Sequence, residues 1–573
     1  MAAWDVISEL EASLLPEEPR SVKENLSTAA GSNTAAGNES PLSPSESLSL
    51  TLSPRLSDVR SAVSSDPNTP SVPFINLPAK NSLPDGEWLA QTLNPTHPIH
   101  RLPVELLVLM FQLGTWADPA TFPTLVSQVS PTWRTLALST SSLWTYINLC
   151  GSHPYAKARL WISRALSSSS LSALLHISFD ISEGFDPSPE EMEKAMTFVL
   201  PYIERWGSFS VHVDPDALQV CLEILSSLPA TLRARRLKHL RVESTEFEAE
   251  EQWDNLFNDD LPALESIRLA GVSVPWNGPL FMAGVGLKHL HIGMFGEDSP
   301  GAPSLHEFVA ILTRNAGTLI SLTVDESNIT HEGSDPELEK ELVLPNLVRL
   351  QMTQLDRDVY FWMVRRLRCP KVVDYTGNPG QHDMEFTSMV QTQHRTSPFP
   401  NVRRLKVQYT VVEKGYIILA KMFRMLRKLE SIEFYQCILP PAVSDALVWD
   451  QNEPRGLALK ELTFVATQGL SADVLTRIVK SRNEVGDCTE EKGDDQPRPP
   501  KLEKLVLKGC PVRLAAEDVT YLKRFIAEFE WSEFVEGTKN AWITVEAACG
   551  MTADREIWTL GRPGSIRITP RKT

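Results

Sequence analysis

LKHLRV, at residues 237–242, is the clearest copy of a short pattern that recurs through most of this chain. An apolar residue is followed by two variable residues, a second apolar residue, one variable residue and a third apolar residue. The thirteen copies begin at Trp144, Leu174, Trp206, Leu237, Leu264, Leu287, Leu319, Leu347, Val372, Val402, Leu429, Leu459 and Leu502, at intervals of 23 to 43 residues. Such periodicity is typical of proteins that are built from stacked repeats.

Each copy predicts a short strand, because alternate side chains of a strand point to opposite faces. Positions one, four and six then face a core, and positions three, five and seven face outward. Amphipathic helices are predicted between copies: Asp214 and Pro215 start one, and the capping box of Ser304 and Glu307 starts another. Three more are predicted from apolar side chains at helical spacing, namely Val359, Trp362, Met363 and Leu367; Leu419, Met422, Phe423 and Leu426; and Leu475, Ile478 and Val479. Each repeat is thus predicted to be a strand followed by a helix.

Over residues 144–545 the pattern resembles leucine-rich repeats, of the irregular kind that is found downstream of F-boxes. The resemblance implies an α/β fold, namely a curved solenoid with a parallel sheet whose open face binds partners. Regular repeats place Asn or Cys at the ninth position, where this chain has Thr245, Val272, Ser327 and Leu355. We therefore expect the usual asparagine ladder to be absent and the arc to be less regular.

The stretch before the repeats, residues 98–149, is unusually apolar. Pro103 can occupy the first turn of a helix, and the apolar residues from Val104 to Trp116 cover every side of that helix. A helix that is apolar all round requires burial all round, which predicts a second protein as its partner. A short second helix should follow, and Ser130 with Pro131 is typical of the start of a third.

These residues resemble an F-box, in the divergent form common in fungal proteins, through Leu102-Pro103-x-Glu105-Leu106, Phe111, Val129-x3-Trp133-Arg134 and Leu143-Trp144. The resemblance implies docking on a Skp-type adaptor and, through it, on the cullin scaffold of a ubiquitin ligase. The residues that would bind or support the adaptor are Leu102, Pro103, Glu105, Leu106, Met110, Phe111, Val126, Val129, Trp133 and Leu136. The alternative interpretation is an ordinary helical hairpin within a larger core.

Charge and composition restrict the class of partner. The 573-residue chain has a formal net charge of −17 and a pI near 5.3, which argues against nucleic acid or an anionic membrane, because phosphate binding needs a basic surface. No apolar run reaches the length of a membrane span, and no signal peptide is recognisable. Seven scattered cysteines without a CxxC motif indicate reduced thiols. We expect an intracellular protein, cytoplasmic, nuclear or both.

Four segments are predicted. Residues 1–95 form a Ser/Pro-rich leader whose composition favours disorder. Residues 98–149 form the F-box, residues 150–548 form the repeats, and residues 549–573 form a basic C-terminal tail.

The outward strand positions give a candidate client-binding surface. Arg349, Arg404 and Lys406 form a basic patch on neighbouring repeats, with Glu433 and Tyr435 beside it. Such a patch could accept an acidic or phosphorylated segment through Arg forks. The alternative is a solvated sheet face with ordinary alternation.

No catalytic motif, phosphate-binding loop or metal-ligand cluster was found in the sequence, so we predict neither an enzyme nor a cofactor. The predicted function is that of a substrate-recognition adaptor, whose F-box binds the Skp-type adaptor and whose repeats bind a protein client for ubiquitination. The alternative is a non-ligase scaffold for protein–protein interaction that is built on leucine-rich repeats.

Overall fold

The structure is a computed structural model that describes Ile99 and residues 102–150, 153–167, 173–245, 253–282, 286–295, 301–327, 329, 340–377, 399–408, 426–439, 444–449, 458–484, 500–532, 559–560 and 566–567. The chain divides into two compact units, Met1–Leu107 and Val108–Thr573. Of the first unit, Ile99 and residues 102–107 are described. The predicted leader, residues 1–95, and most of the predicted tail lie outside the described residues.

Ten α-helices lie within the described residues. They are α1 Val104–Ala117, α2 Phe122–Val129, α3 Pro131–Ser139, α4 Pro154–Leu166, α5 Pro189–Val199, α6 Pro215–Ser226, α7 Leu305–Arg314, α8 Arg357–Arg366, α9 Ala472–Val479 and α10 Ala516–Phe525. None of the described helices is long and apolar enough to cross a membrane.

The strands are β1 Tyr146–Asn148, β2 Leu175–Asp180, β3 Trp206–Val213, β4 His239–Ser244, β5 Ser266–Ala270, β6 His289–Phe295, β7 Ser321–Ser327, β8 Leu342–Val343, β9 Arg349–Thr353, β10 Leu367–Arg368, β11 Asp374–Gly377, β12 Arg404–Gln408, β13 Ser431–Tyr435, β14 Glu461–Val465, β15 Lys504–Lys508, β16 Glu528–Trp531, β17 Thr559–Leu560 and β18 Ile566–Arg567. Fourteen of them form one open sheet in chain order, β1 to β7, β9 and β11 to β16, and every pairing in it is parallel. Strands β8 and β10 form a separate parallel pair, and β17 and β18 form an antiparallel pair.

The repeat pattern predicted these strands. Each of the thirteen starts lies within two residues of the first residue of a strand in the large sheet. The prediction of an α/β fold with a parallel sheet is therefore confirmed. The fourteenth strand, β16, was not predicted, because its four residues carry only Phe529 and Trp531 as apolar side chains.

Alternation along the strands sets the core. In β4, Leu240 and Val242 are buried, whereas His239 and Arg241 are partly exposed. The same arrangement recurs along the sheet, so that one continuous cluster of buried apolar residues extends from Phe111 to Ile526. Full burial of one such side chain stabilises the fold by about 1.5–3 kcal/mol. No repeat could bury this surface alone.

The predicted helices are present where the described residues cover them, with one correction. Asp214 caps α6 by accepting a hydrogen bond from the Ala217 N–H, and the Ser304–Glu307 capping box starts α7. The repeats that begin at Leu237 and Leu264 contain only one-turn segments, Leu256–Asp259 and Pro279–Met282, among their described residues. The described residues of these two repeats therefore do not meet the expectation of a helix in every repeat, although the Leu347 repeat, with an interval of 25 residues, contains α8. Of the helix predicted from Leu419 to Leu426, only Leu426 lies within the described residues, where it is buried and not helical.

In seven repeats, a residue at or next to the end of the strand has a left-handed backbone conformation. The eighth position of the pattern has φ between 45° and 65° at Gly271, Met294, Glu326, Gln354, Gln436, Ala466 and Gly509. Only glycine adopts this conformation without steric cost, and five of the seven residues are not glycine. The same backbone conformation therefore recurs at the end of the strand, even in repeats where the residue is not glycine.

Side chains at the ninth position of the pattern form a hydrogen-bonded ladder in the last repeats. Cys437, Thr467 and Cys510 are buried and donate hydrogen bonds to the carbonyl oxygens of Val407, Phe434 and Phe464 in the preceding strand. Each also donates to the carbonyl two residues before it in its own strand. A hydrogen-bonded ladder thus exists in the last repeats. Cys437 and Cys510 match the Asn-or-Cys preference of regular repeats, but they were not among the four ninth positions that the sequence analysis compared with it.

Candidate functional site

The helices α1, α2 and α3 owe their boundaries to local sequence signals. The Ser130 hydroxyl accepts a hydrogen bond from the Trp133 N–H, at 3.1 Å, and Pro131 occupies the first turn of α3. Asp118 accepts one from the Thr121 N–H, at 3.0 Å, in the turn before α2. Gly114 lets α2 approach α1, because a Cβ atom at this position would lie 2.1 Å from the Phe122 ring.

The interior of this segment is continuous with the core of the repeats. The rings of Phe111 and Trp133 lie 4.9 Å apart, and Phe111 is almost completely buried. The Trp144 indole N–H donates to the Ala137 carbonyl at 2.8 Å, and its ring packs edge-on against Trp161 of α4 at 5.4 Å. Trp144 therefore joins α3 to the first repeat without an intervening linker.

The outer side of the segment is apolar as well. Leu109, Met110, Leu113 and Trp116 recur at helical spacing along α1, and each is between 43% and 49% exposed. On α2, Leu125 and Val129 are more than half exposed. Monomeric soluble proteins rarely present large apolar patches unless these bind something. Helix α1 therefore has one buried face and one apolar, exposed face.

Some of the residues predicted to bind the adaptor are exposed, and others are buried or partly buried beneath them. In the first unit, Pro103, Glu105 and Leu106 are exposed, and Leu102 is partly buried. In the second unit, Met110 and Val129 are exposed, Phe111 and Val126 are buried, and Trp133 and Leu136 are partly buried and pack against the core.

The set predicted from the sequence omitted several exposed residues that lie next to it on the helices. Leu109, Leu113 and Trp116 share the exposed side of α1 with Met110, and Leu125 lies one turn before Val129. Helical spacing counted from Met110 would have identified Leu113, which lies one turn further along α1.

The predicted basic patch is largely paired with carboxylates. A guanidinium nitrogen of Arg404 lies 2.7 Å from Asp374, and the Lys406 ammonium lies 2.9 Å from Glu433 and 5.0 Å from the centre of the Tyr435 ring. Asp374 also lies in register between Arg349 and Arg404. The sequence-based set missed Asp374 because the Val372 copy of the pattern is weak.

A second charged group spans strands β2 to β5. Asp180 accepts a hydrogen bond from His212 at 2.9 Å, and Glu243 pairs with Arg241 at 2.6 Å and with Arg268. Burial alone would raise the pKa of Glu243, but the guanidinium groups of Arg268 and Arg241 outweigh it and lower the pKa to about 2. The carboxylate is thus ionised and positions both arginines on the outer side of the sheet.

Histidine and serine alternate at the third position of six neighbouring strands. The row runs His176, Ser208, His239, Ser266, His289 and Ser321, in register. Burial, together with the neighbouring His176, lowers the pKa of His239 to about 4. At neutral pH the His239 ring therefore offers one uncharged donor and one acceptor within this row.

Clusters of metal-ligating side chains and cavities were compared among the described residues. No group of three or more His, Cys, Asp or Glu side chains there could hold a metal ion. A cavity of about 220 Å³ is lined by Trp253, Asp254, Asn255, Leu256, Val274, Pro275, Gly278, Pro279 and Leu280, a set without a histidine, cysteine or lysine.

The fold and these surfaces define the class of protein: an α/β repeat protein with one strand per repeat in an open parallel sheet, preceded by a helical segment with an apolar outer face. Comparison with known proteins adds no family, because no protein-family model and no curated protein sequence matches the chain.

Proposed function

We propose that the chain is a substrate-recognition adaptor of a Skp/cullin/F-box ubiquitin ligase. Helices α1 to α3 bind the Skp-type adaptor, and the outer face of the repeat sheet binds a protein client. The observation that carries this proposal is the exposed apolar side of α1, formed by Leu109, Met110, Leu113 and Trp116. The order of residues along helices α1 to α3 also resembles that of an F-box.

The energetics support a docking role for this side of α1. Each of its four side chains is about half exposed, so completing its burial against a partner contributes on the order of 1 kcal/mol. Leu125 and Val129 add comparable apolar area. The sum, on the order of 6 kcal/mol, offsets part of the cost of association, which is about 4–15 kcal/mol, so the remaining contacts of the segment must add to it.

The mechanism is proximity, and the chain supplies no chemical step. The Trp144 contacts with Ala137 and Trp161 hold the adaptor-binding helices on the first repeat. A client on the sheet is then held at a defined distance and orientation from the ligase, which raises the effective concentration of its lysines.

Capture of purified Skp-type adaptor and cullin by the full chain tests the proposal. Met110→Asp with Leu113→Asp places two charges on the proposed contact, and we expect it to abolish capture of both proteins. Leu160→Asp on α4 is the matched control, because Leu160 is 47% exposed, as Leu113 is at 49%, but lies outside the segment. The control should capture both proteins normally.

A second variant addresses the first unit. Replacing Leu102, Pro103 and Leu106 with alanine should also abolish capture while the repeats stay folded, as judged by circular dichroism. Retained capture by both variants would contradict the assignment. If the unmodified chain captured neither protein, the remaining function would be a scaffold without a ligase, for which the shared core of α3 and the first repeat is equally suited.

A further inference from the structure

Charges alternate in sign along one row of the sheet. The row is the second position of the repeat pattern, immediately before each strand, and its charged members are Lys238, Glu265 and Lys288, then Arg403, Glu430, Lys460 and Glu503. Neighbours pair at 2.8 to 3.2 Å, as Lys288 does with Glu265 and Arg403 with Glu430. Backbone hydrogen bonds of 2.7 to 2.9 Å join the whole row.

Three neighbouring strands interrupt this alternation. Before β7, β9 and β11 the second position holds Ile320, Val348 and Val373, which are partly exposed and lie outside the buried core. Their backbones belong to the same ladder, since Val348 donates to Ile320 and Val373 donates to Val348. Three β-branched apolar side chains thus replace ion pairs at places where the fold does not bury them.

Ile320, Val348 and Val373 form an apolar strip, and positively charged residues lie at both of its ends. Lys288 precedes Ile320 in the row and Arg403 follows Val373, each with its carboxylate partner on the side away from the strip. Arg349 lies in the adjacent row, next to Val348 along the chain. Asp374, next to Val373, lies in the same adjacent row as Arg349, so an acidic partner would meet positive charge chiefly at Lys288 and Arg403.

The strip is also held in place by the turns that precede its strands. The Asn346 amide donates to the Gly317 carbonyl at 2.7 Å and accepts from the Lys371 ammonium at 2.8 Å. The Asn401 amide donates to the Pro370 carbonyl at 2.6 Å. A surface that is already ordered loses little conformational entropy when it binds a partner.

We propose that Ile320, Val348 and Val373 form a docking strip for a client segment that presents aliphatic side chains between acidic residues. The strip spans two interstrand spacings, about 10 Å, which accommodates two or three such side chains. The client's acidic residues then lie near Lys288 and Arg403. This inference rests on the proposed function only in naming the partner as the client of the ligase.

Synthetic peptides of defined composition test the strip. Three sets of labelled twelve-residue peptides are compared on the full chain by fluorescence anisotropy: leucine or isoleucine cores with Asp/Glu flanks, the same cores with Lys flanks, and serine cores with Asp/Glu flanks. We expect members of the first set to bind, more weakly as salt is raised, and the other two sets to bind at least tenfold more weakly.

A triple variant provides the decisive comparison. Ile320→Glu, Val348→Lys and Val373→Glu together continue the alternation from Lys288 to Arg403, so the row should stay intact. We expect at least a tenfold loss of affinity for the first peptide set, with an unchanged thermal unfolding midpoint. The matched control exchanges one existing pair, Lys460→Glu with Glu503→Lys, and should bind as the unmodified chain does.

The outcomes separate this inference from the proposed function. Equal peptide binding by the triple variant, equal binding of the Lys-flanked set, or no binding of the first set to the unmodified chain would overturn the docking strip. Adaptor and cullin capture is measured on the same variant and should be unchanged. If the unmodified chain captured neither the adaptor nor the cullin, only the ligase role would be rejected, and the docking strip would stand.

Discussion

Glu326 combines two unfavourable features at the end of strand β7. Its backbone is left-handed, with φ of 45°, and burial together with the neighbouring Asp325 raises its pKa to about 7. A carboxyl whose pKa is higher in the folded state than in the unfolded state binds more protons when folded. The free energy of unfolding therefore falls as the pH rises from about 4.5 to 7.

Glu326→Gln should remove this pH-dependent cost. Glutamine already occupies the same eighth position in two other repeats, as Gln354 and Gln436, so the backbone should accept it. We expect the free energy of unfolding at pH 8 to rise by on the order of 1 kcal/mol, with little change at pH 4.5. Urea unfolding at both pH values measures this. Glu461→Gln on β14 is the control, and an equal gain there would refute the explanation.

Helix α1 and helix α2 meet at Gly114 and Phe122. In an exposed helix, alanine is more favourable than glycine by about 0.5–1 kcal/mol, but here its Cβ would overlap the Phe122 ring. Gly114→Ala should therefore destabilise the protein by about 1–3 kcal/mol, because the close-packed site must shift.

A double-mutant cycle checks this prediction. In a Phe122→Ala background the ring is absent, so Gly114→Ala should become neutral or stabilising in thermal unfolding. The same destabilisation in both backgrounds would show that the contact with Phe122 is not the cause.

Among the secondary-structure elements, the sequence predicted those whose positions depend on local sequence signals. The strands follow from the apolar period, and α3 follows from Ser130 and Pro131. The left-handed turns could not be predicted, because Met294 and Ala466 are ordinary residues whose conformation is imposed by the neighbouring strands. Spacing could not predict that the described residues after β4 and β5 form only one-turn segments, because the Leu347 repeat is of similar length and contains α8.

The candidate surfaces were predicted less completely than the elements. The sequence indicated that α1 is too apolar to stand alone, but not which side it exposes, because that depends on the packing of Phe111 against Trp133. The pairing of Arg404 with Asp374 depends on strand register across a weak copy of the pattern. Register is a property of the folded sheet and can only be estimated from spacing.

Across the whole molecule, Trp144 is the junction between helix α3 and the repeats. Trp144→Ala removes the hydrogen bond to Ala137, the contact with Trp161 and the stacking of the Arg164 guanidinium, 4.2 Å from the ring. We expect a loss of about 3–5 kcal/mol, and separation of one calorimetric transition into two.

An equally buried tryptophan serves as the control for this prediction. Trp206 on β3 is fully buried and lies away from the junction. Trp206→Ala should lower the main transition without releasing the helices as a separate unit. If both variants gave the same pair of transitions, the coupling would not depend on Trp144.

The order of the strands has a consequence for how such a chain evolves. Because each strand of the large sheet pairs only with the strand before it and the strand after it, removal or duplication of a whole repeat leaves two edges that still match. The number of repeats can therefore change by in-frame recombination without a new fold. The length of the outer face, and with it the span of partner that the protein can hold, is then open to selection one repeat at a time.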